Sequence, residues 1–163
     1  MKLIMMLWVA LLPLLSIAQT KGKVIKVKDG DTIVVLLEGN VQKTLRLAEV
    51  DCPESKQAFG TRAKQYTSSQ VFGKVVSFKV TNTDRYGRSI AKVYYGNHKY
   101  LSKEIIKAGM GWWYSKYSDN PKLGEFEKIA RQNKLGLWQD KRAIAPWEFR
   151  KLKKEERAKY AAF

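Results

Sequence analysis

The chain has 163 residues, 45% of them apolar, and carries 31 Lys and Arg against 15 Asp and Glu for a net charge of +16. That length fits one domain with extensions, and that apolar content excludes global disorder. So large an imbalance sets up a positive field and points to a polyanionic partner, either nucleic acid or an anionic membrane surface.

The first residues, MKLIMMLWVALLPLLSIAQT, hold one charge, Lys2, followed by an apolar run and the small-residue end SIA. This reads as a secretory signal peptide over residues 1–18, cut after Ala18. An uncleaved anchor fits less well, because the run is short for a span and Pro13 interrupts it. Cleavage removes Lys2 and no acid, leaving +15. The expected location is secreted or periplasmic, with no stable membrane association afterwards. Cys52 is the only cysteine, so no internal disulfide forms.

Residues 22–50 alternate like strands. KVIKV, TIVVLLE and VQKTLRLAEV are joined at Asp29-Gly30 and Gly39-Asn40, pairs suited to hairpin turns that need positive φ. The reading is a three-stranded meander. From Asp51 the pattern changes. Pro53 suits a first helical turn and Glu54 its positive end. Ala58, Phe59, Ala63 and Tyr66 continue at helical spacing, and Gly73 closes the element. KVVSFKV and SIAKVYY read as two more strands flanking the polar TNTDRYGR, and GNH makes a tight turn. LSKEIIKAGMG predicts a short helix capped by Ser102. NPKLGEFEKIARQNKLG predicts another, with Leu123, Phe126, Ile129 and Ala130 on one face and Gly136 at its end.

Five short strands followed by helices predict an α+β chain. Its core is a five-stranded β-barrel of the oligonucleotide-binding (OB-fold) type with about three packed helices. The domain is expected over residues 19–138. Residues 139–163, rich in Lys and Arg, read as a basic, helical and loosely attached C-terminal extension. No oligomer signal is visible, so a monomer is expected.

The chemistry is bounded by what is missing. His98 is the only histidine and sits in a turn, so paired-histidine chemistry is excluded, and no Cys/His cluster suits zinc. Cys52 lies between an acid and a proline, where neighbouring carboxylates disfavour the thiolate, so it is no nucleophile. Acids and arginines remain. Asp31 follows a turn, Asp51 ends a strand and Glu54 follows closely. Three carboxylates at one barrel mouth would repel unless a cation sat between them, and oxygen donors suit Ca²⁺. Singly, each acid reads as turn or capping chemistry sooner than as a metal ligand. Arg46 lies between Leu45 and Leu47 and points to the opposite face from them. Arg88 closes TDRYGR. Guanidinium groups pair bidentately with phosphate and stabilise charge building on its oxygens.

Taken together, DGDT (29–32), RLAEVDCPE (46–54) and TDRYGR (83–88) resemble the staphylococcal nuclease (thermonuclease) family, with EIIKAGMGWWY and KLGLW fitting its later part. Order and spacing agree from about residue 22 to residue 138. The resemblance implies a five-stranded barrel with three helices. It also implies Ca²⁺-dependent hydrolysis of DNA and RNA that leaves 3′-phosphate ends. It makes Asp31 and Asp51 the calcium carboxylates, with the Cys52 position giving its backbone carbonyl. Glu54 becomes the general base proposed for the attacking water, and Arg46 and Arg88 the phosphate clamp. Arg85 and Tyr86 become nucleotide contacts, and the stacking tyrosines map to Tyr114 or Tyr117. The best-known member has threonine where Cys52 stands, and residues after Trp138 fall outside the resemblance to it. Trp112 and Trp113 read as core, whereas Tyr86 reads as a base-stacking residue; stacking accepts any base, so sequence preference should be weak. One alternative is a non-catalytic OB-fold nucleic-acid-binding protein, against which all five of Asp31, Arg46, Asp51, Glu54 and Arg88 argue. A membrane- or glycan-binding basic protein would explain the charge but not the acids.

Overall fold

Val24, Ile33, Val35, Leu45, Leu47 and Val93 are all inaccessible to solvent or nearly so, and in their strands they alternate with more exposed positions. That alternation turns one face of each strand inward and rolls the sheet around a shared apolar core. A computed structural model describes residues 19–161. The leader read over residues 1–18 lies outside the described residues.

The strands are β1 (Thr20–Asp29), β2 (Thr32–Leu36), β3 (Gln42–Leu47), β4 (Val50–Asp51), β5 (Val75–Thr83), β6 (Ser89–Tyr95), β7 (Lys99–Tyr100) and β8 (Trp112–Trp113). In the main sheet β3, β2, β1, β5, β6 and β7 lie side by side, and a parallel β3–β6 pairing closes β1, β2, β3, β6 and β5 into a five-stranded barrel. The meander β1–β2–β3 and the two later strands therefore form as expected. Gly39 and Asn40 both take positive φ, as a tight turn between β2 and β3 requires.

The first turn differs from expectation. Asp29 pairs with Thr32, so the turn residues are Gly30 and Asp31, and Gly30 does not have positive φ. Glycine is required there for space: a Cβ would lie 2.6 Å from Cys52 Cβ and 2.9 Å from Ala63 Cβ.

The helices are α1 (Gly60–Val71), α2 (Leu101–Lys107), α3 (Lys122–Gln132) and the single turns α4 (Pro146–Phe149) and α5 (Lys154–Arg157). α1 begins later than the sequence predicts: Pro53 and Glu54 are not its first turn, and Ala58 and Phe59 precede it. The chain instead makes tight turns, with Gln57 N–H donating to the Glu54 carbonyl, and Phe59 enters the helix at φ 67°. Ser102 does not cap α2. It lies inside the helix, buried, and its hydroxyl donates to the Ala48 carbonyl at 2.8 Å. On α3, Leu123 and Ala130 are buried and Phe126 packs on the core, but Ile129 faces solvent. That helix stops at Gln132, and Lys134 rather than Gly136 makes the first positive-φ reversal.

The extension is docked, in two single turns. Phe149 and Ala145 are buried, and Ala145 joins Trp112 and Leu137 in a second apolar cluster. Gln57 Nε2 donates to the Ile144 carbonyl, Ala58 N–H donates to the Tyr160 carbonyl, and Ala161 bridges to Gln57. Trp112 is core, as read from the sequence, and Trp113 packs against the main cluster half-buried. Among the described residues no helix is long and apolar enough to cross a membrane.

Candidate active site

Asp31 reaches the site because the β1–β2 turn ends on it, and Arg46 because β3 pairs Arg46 with Thr32, the residue after Asp31. Asp51 comes from β4, whose antiparallel pairing with Trp112 of β8 holds it against the barrel end. Asp31 is 6% and Asp51 1% exposed. Burying two carboxylates so deeply requires donors for their oxygens.

Arg46 supplies them. Its Nη2 donates to Asp51 Oδ1 at 2.8 Å, and its Nη1 lies 3.3 Å from Asp31 Oδ2. The same Nη1 donates to the carbonyls of Leu47 and Val50 at 2.8 Å each. One guanidinium thus spans both acids while the chain wraps around it. Burial opposes the charge of Arg46, but Asp31 and Asp51 outweigh it and push its pKa upward. Cys52 N–H donates to Asp31 Oδ2 at 2.7 Å, which turns the Cys52 backbone toward the acids. The thiol is buried, and burial with the charge of Asp31 drives its pKa well up. Cys52 is therefore chemically quiet, and the backbone group it gives to Asp31 is its N–H.

Two residues that the sequence reading missed complete the cluster. Asp29 accepts the Asp31 N–H at 3.1 Å, and burial together with the charge of Asp31 raises its pKa to about 6. DGD had been read as turn chemistry; two acids flanking one glycine in a tight turn were the available signal. The second is Arg150, from the extension. Its Nη2 donates to Asp51 Oδ2 at 2.7 Å, and its Nη1 donates to Glu54 Oε1 at 2.8 Å and to Asp51 Oδ1 at 3.3 Å. Pro146, Trp147 and Phe149, apolar residues inside a basic tail, were the sign that this segment docks. Even with two guanidinium partners Asp51 titrates high, through burial and the neighbouring charge of Asp31.

Arg88 is not brought onto the acids. It sits just before Ser89, whose partner on β3 is Leu45, so it is at the same side of the barrel as Arg46. Its Nε donates to Asp84 Oδ2 at 2.7 Å within its own turn, and the Asp84 Oδ1 also accepts the N–H groups of Tyr86 and Arg88. Burial opposes the charge of Asp84, but the bonds from Arg88 and Tyr86 together outweigh it and lower its pKa. Tyr86 is 68% exposed, with the Arg85 and Arg88 guanidinium groups over its ring at 4.8 and 5.6 Å. Tyr114 is the tyrosine nearer the acids: its N–H donates to the Glu49 carbonyl, and burial with the charge of Asp51 raises its phenol. Its ring stacks on Trp147 of the extension at 5.1 Å, while Tyr117 leans edge-on against it and is open to solvent. His98 is an exposed turn residue with φ 55°.

The donor set is oxygen-only. Four carboxylates, Asp29, Asp31, Asp51 and Glu54, face two guanidinium groups, and burial, helped by the charge of Asp31, raises Asp29 and Asp51. That excess of acids and the hardness of the donors fit a hard divalent cation held by Asp31, Asp51 and the Cys52 carbonyl. Among the described residues no three His, Cys, Asp or Glu side chains already form a cage, so the fit is to a two-carboxylate site completed by backbone and water.

The family model described as staphylococcal nuclease homologue matches residues 44–140. The chain is 39% identical over 132 residues to an uncharacterized endonuclease of Haemophilus influenzae, covering 81% of this chain and 74% of that one. It is 37% identical over 147 residues to a micrococcal nuclease of Shigella flexneri, covering 84% of each. It is 36% identical over 110 residues to the staphylococcal-like nuclease CAN1 of Arabidopsis thaliana, covering 68% of this chain and 34% of that one. Closed barrel, family model and relatives agree, and the chain belongs to the staphylococcal nuclease homologue family.

Proposed function

We propose that this protein is a Ca²⁺-dependent nuclease that hydrolyses phosphodiester bonds of DNA and RNA with little sequence preference, leaves 3′-phosphate ends, and acts as a monomer in the periplasm or outside the cell. The observation that carries the reading is Arg46 spanning Asp31 and Asp51 at the barrel end, with Glu54 beside them.

Asp31, Asp51 and the Cys52 carbonyl would hold Ca²⁺. When bound, the cation neutralises these acids, polarises a phosphoryl oxygen and favours ionisation of water. Glu54 orients a water and takes its proton. The water oxygen bonds to phosphorus, the P–O5′ bond breaks, and the 5′-oxygen leaves with a proton from a neighbouring donor or solvent. Arg46, fixed and permanently charged, stabilises the charge on the phosphoryl oxygens, and Arg88 approaches the same group from its turn. Tyr86 with Arg85, and Tyr114 with Tyr117, offer stacking faces that accept any base.

The test is cleavage of single-stranded DNA in Ca²⁺ and in excess chelator, with Glu54→Gln and Cys52→Ser alongside. Expected are cleavage only with Ca²⁺, activity retained in Cys52→Ser, and turnover in Glu54→Gln reduced about 10²–10⁴-fold while Ca²⁺ still binds. Labelling of 5′-hydroxyl product ends checks the position of the break. Tight binding with no cleavage in either condition would instead identify a non-catalytic nucleic-acid-binding barrel.

A further inference from the structure

Arg46 reaches the site from inside the barrel end, with its side chain only 13% exposed. Its Nη1 is committed to the Leu47 and Val50 carbonyls and lies against Asp31, and its Nη2 bonds Asp51. Arg88 is held by Asp84 within the TDRYGR turn. The guanidinium that is both on the acid cluster and open to solvent is that of Arg150, whose side chain is 43% exposed. Three hydrogen bonds to Asp51 and Glu54 occupy part of its five-donor fork.

We propose that Arg150 is a phosphate-binding residue of this active site, delivered by the C-terminal extension; the inference rests on the nuclease reading above. The backbone that carries it is fixed. Phe149 beside it is buried, Trp147 stacks on Tyr114, and Arg157 Nη2 donates to the Arg150 carbonyl at 2.9 Å. A long side chain on a fixed backbone holds its charge in place with less entropy to lose when phosphate arrives. Its Nη1 is 2.8 Å from Glu54 Oε1, so a phosphate gripped by Arg150 lies next to a water held by Glu54. Arg150 thereby links Asp51, Glu54 and the reacting phosphate through one planar group that binds phosphate bidentately.

The experiment compares the full-length mature protein with Arg150→Ala and Arg150→Lys. Cleavage of single-stranded DNA in Ca²⁺ should fall about 10²-fold in Arg150→Ala, the size of removing one donor to transition-state charge. Arg150→Lys should fall between, since an ammonium has no fork. Millimolar guanidinium should restore part of the Arg150→Ala activity, which a merely structural role would not allow. In chelator, where nothing turns over, a labelled oligonucleotide should bind more weakly to both variants, read by fluorescence anisotropy, with thermal melts reported alongside. Turnover in Arg150→Ala equal to or above wild type overturns the proposal, and tighter Ca²⁺ binding by calorimetry would then mark Arg150 as a plug on the acids. If Arg150→Ala fails to fold, Arg150→Lys decides: unchanged cleavage and unchanged oligonucleotide binding overturn the proposal. If wild type itself cleaves nothing, the nuclease reading falls, and the anisotropy arm still decides whether Arg150 meets phosphate.

Discussion

Replacing Arg46 by methionine tests the electrostatic reading of the site through stability rather than turnover. Methionine keeps much of the stem but leaves the buried Asp31 and Asp51 without the guanidinium that spans them, and leaves the Leu47 and Val50 carbonyls without their shared donor. Removing one partner of a buried ion pair costs about 3–5 kcal/mol, because the uncompensated charge remains. At roughly 2–4 °C per kcal/mol for a chain of this size, the midpoint of thermal unfolding should fall by about 6–20 °C in chelator. The sign with pH follows. Without Arg46 the buried Asp51, which already titrates high, rises further, so the fold binds more protons than the unfolded chain above about pH 4. The deficit should be largest near neutral pH and shrink as pH falls towards that value. Adding Ca²⁺ should restore more stability to Arg46→Met than it adds to wild type, because the variant has more unneutralised charge. Adding Asp51→Asn to Arg46→Met should recover part of the loss, since the two sites share one interaction. A melt within about 3 °C of wild type, or a deficit equal at acid and neutral pH, would refute the charge argument and leave only lost packing.

Gly30→Ala places a Cβ 2.6 Å from Cys52 Cβ and 2.9 Å from Cys52 Sγ, so urea melts should show a loss of about 1–3 kcal/mol, and an unchanged midpoint would mean that the turn has slack. Asp29→Asn should stabilise the protein at neutral pH: its carboxyl titrates near 6 when folded against 3.8 in the open chain, so ionising it weakens the fold as pH rises through about 4–6. The gain should be about 1–3 kcal/mol at pH 7 and vanish below about pH 4, measured in chelator; a gain that does not depend on pH would place its origin elsewhere.

The barrel was legible because two-residue periodicity and turn chemistry are local. Val24, Leu45 and Val93 alternate with less buried neighbours, whereas Val34 and Val35 of β2 are both buried and read from their apolar run. The polar edges were harder to read. Glu54 looked like a helix N-terminus because Pro53 precedes it, yet the chain turns instead through Gln57, whose side chain accepts the Glu54 N–H and donates to Ile144 in the extension. That choice depends on a segment far along the chain, which no local rule sees. Ser102 is misread for the same reason: its partner is the Ala48 carbonyl, adjacent in space but far back along the chain. Of the site, Asp31, Arg46, Asp51 and Glu54 stand out from the motifs and Cys52 enters only through the resemblance they carry, and the fold brings the five together. Asp29 was absorbed into turn chemistry, and Arg150 lay in a stretch whose composition reads as solvent-exposed charge.

The arrangement separates attraction from chemistry. The chain as a whole carries +16, but the barrel end gathers Asp29, Asp31, Asp51 and Glu54 around the Arg46 and Arg150 guanidinium groups. A polyanion is drawn by the long-range field, which salt screens over about 10 Å at 0.1 M. At the mouth the same polyanion meets local negative charge, so without a cation a phosphate there is met by Arg150 against the repulsion of the acids. In the function proposed above, a divalent cation on Asp31 and Asp51 reverses that local sign. Arg150, which pairs with Asp51 and Glu54 in the free protein, is then left with donors for phosphate. Salt should therefore govern how well nucleic acid binds, while the cation governs whether a phosphate met by Arg150 is seated against Arg46 and Glu54. A surface that was merely basic would join the two dependences; burying acids in a basic protein is what sets them apart.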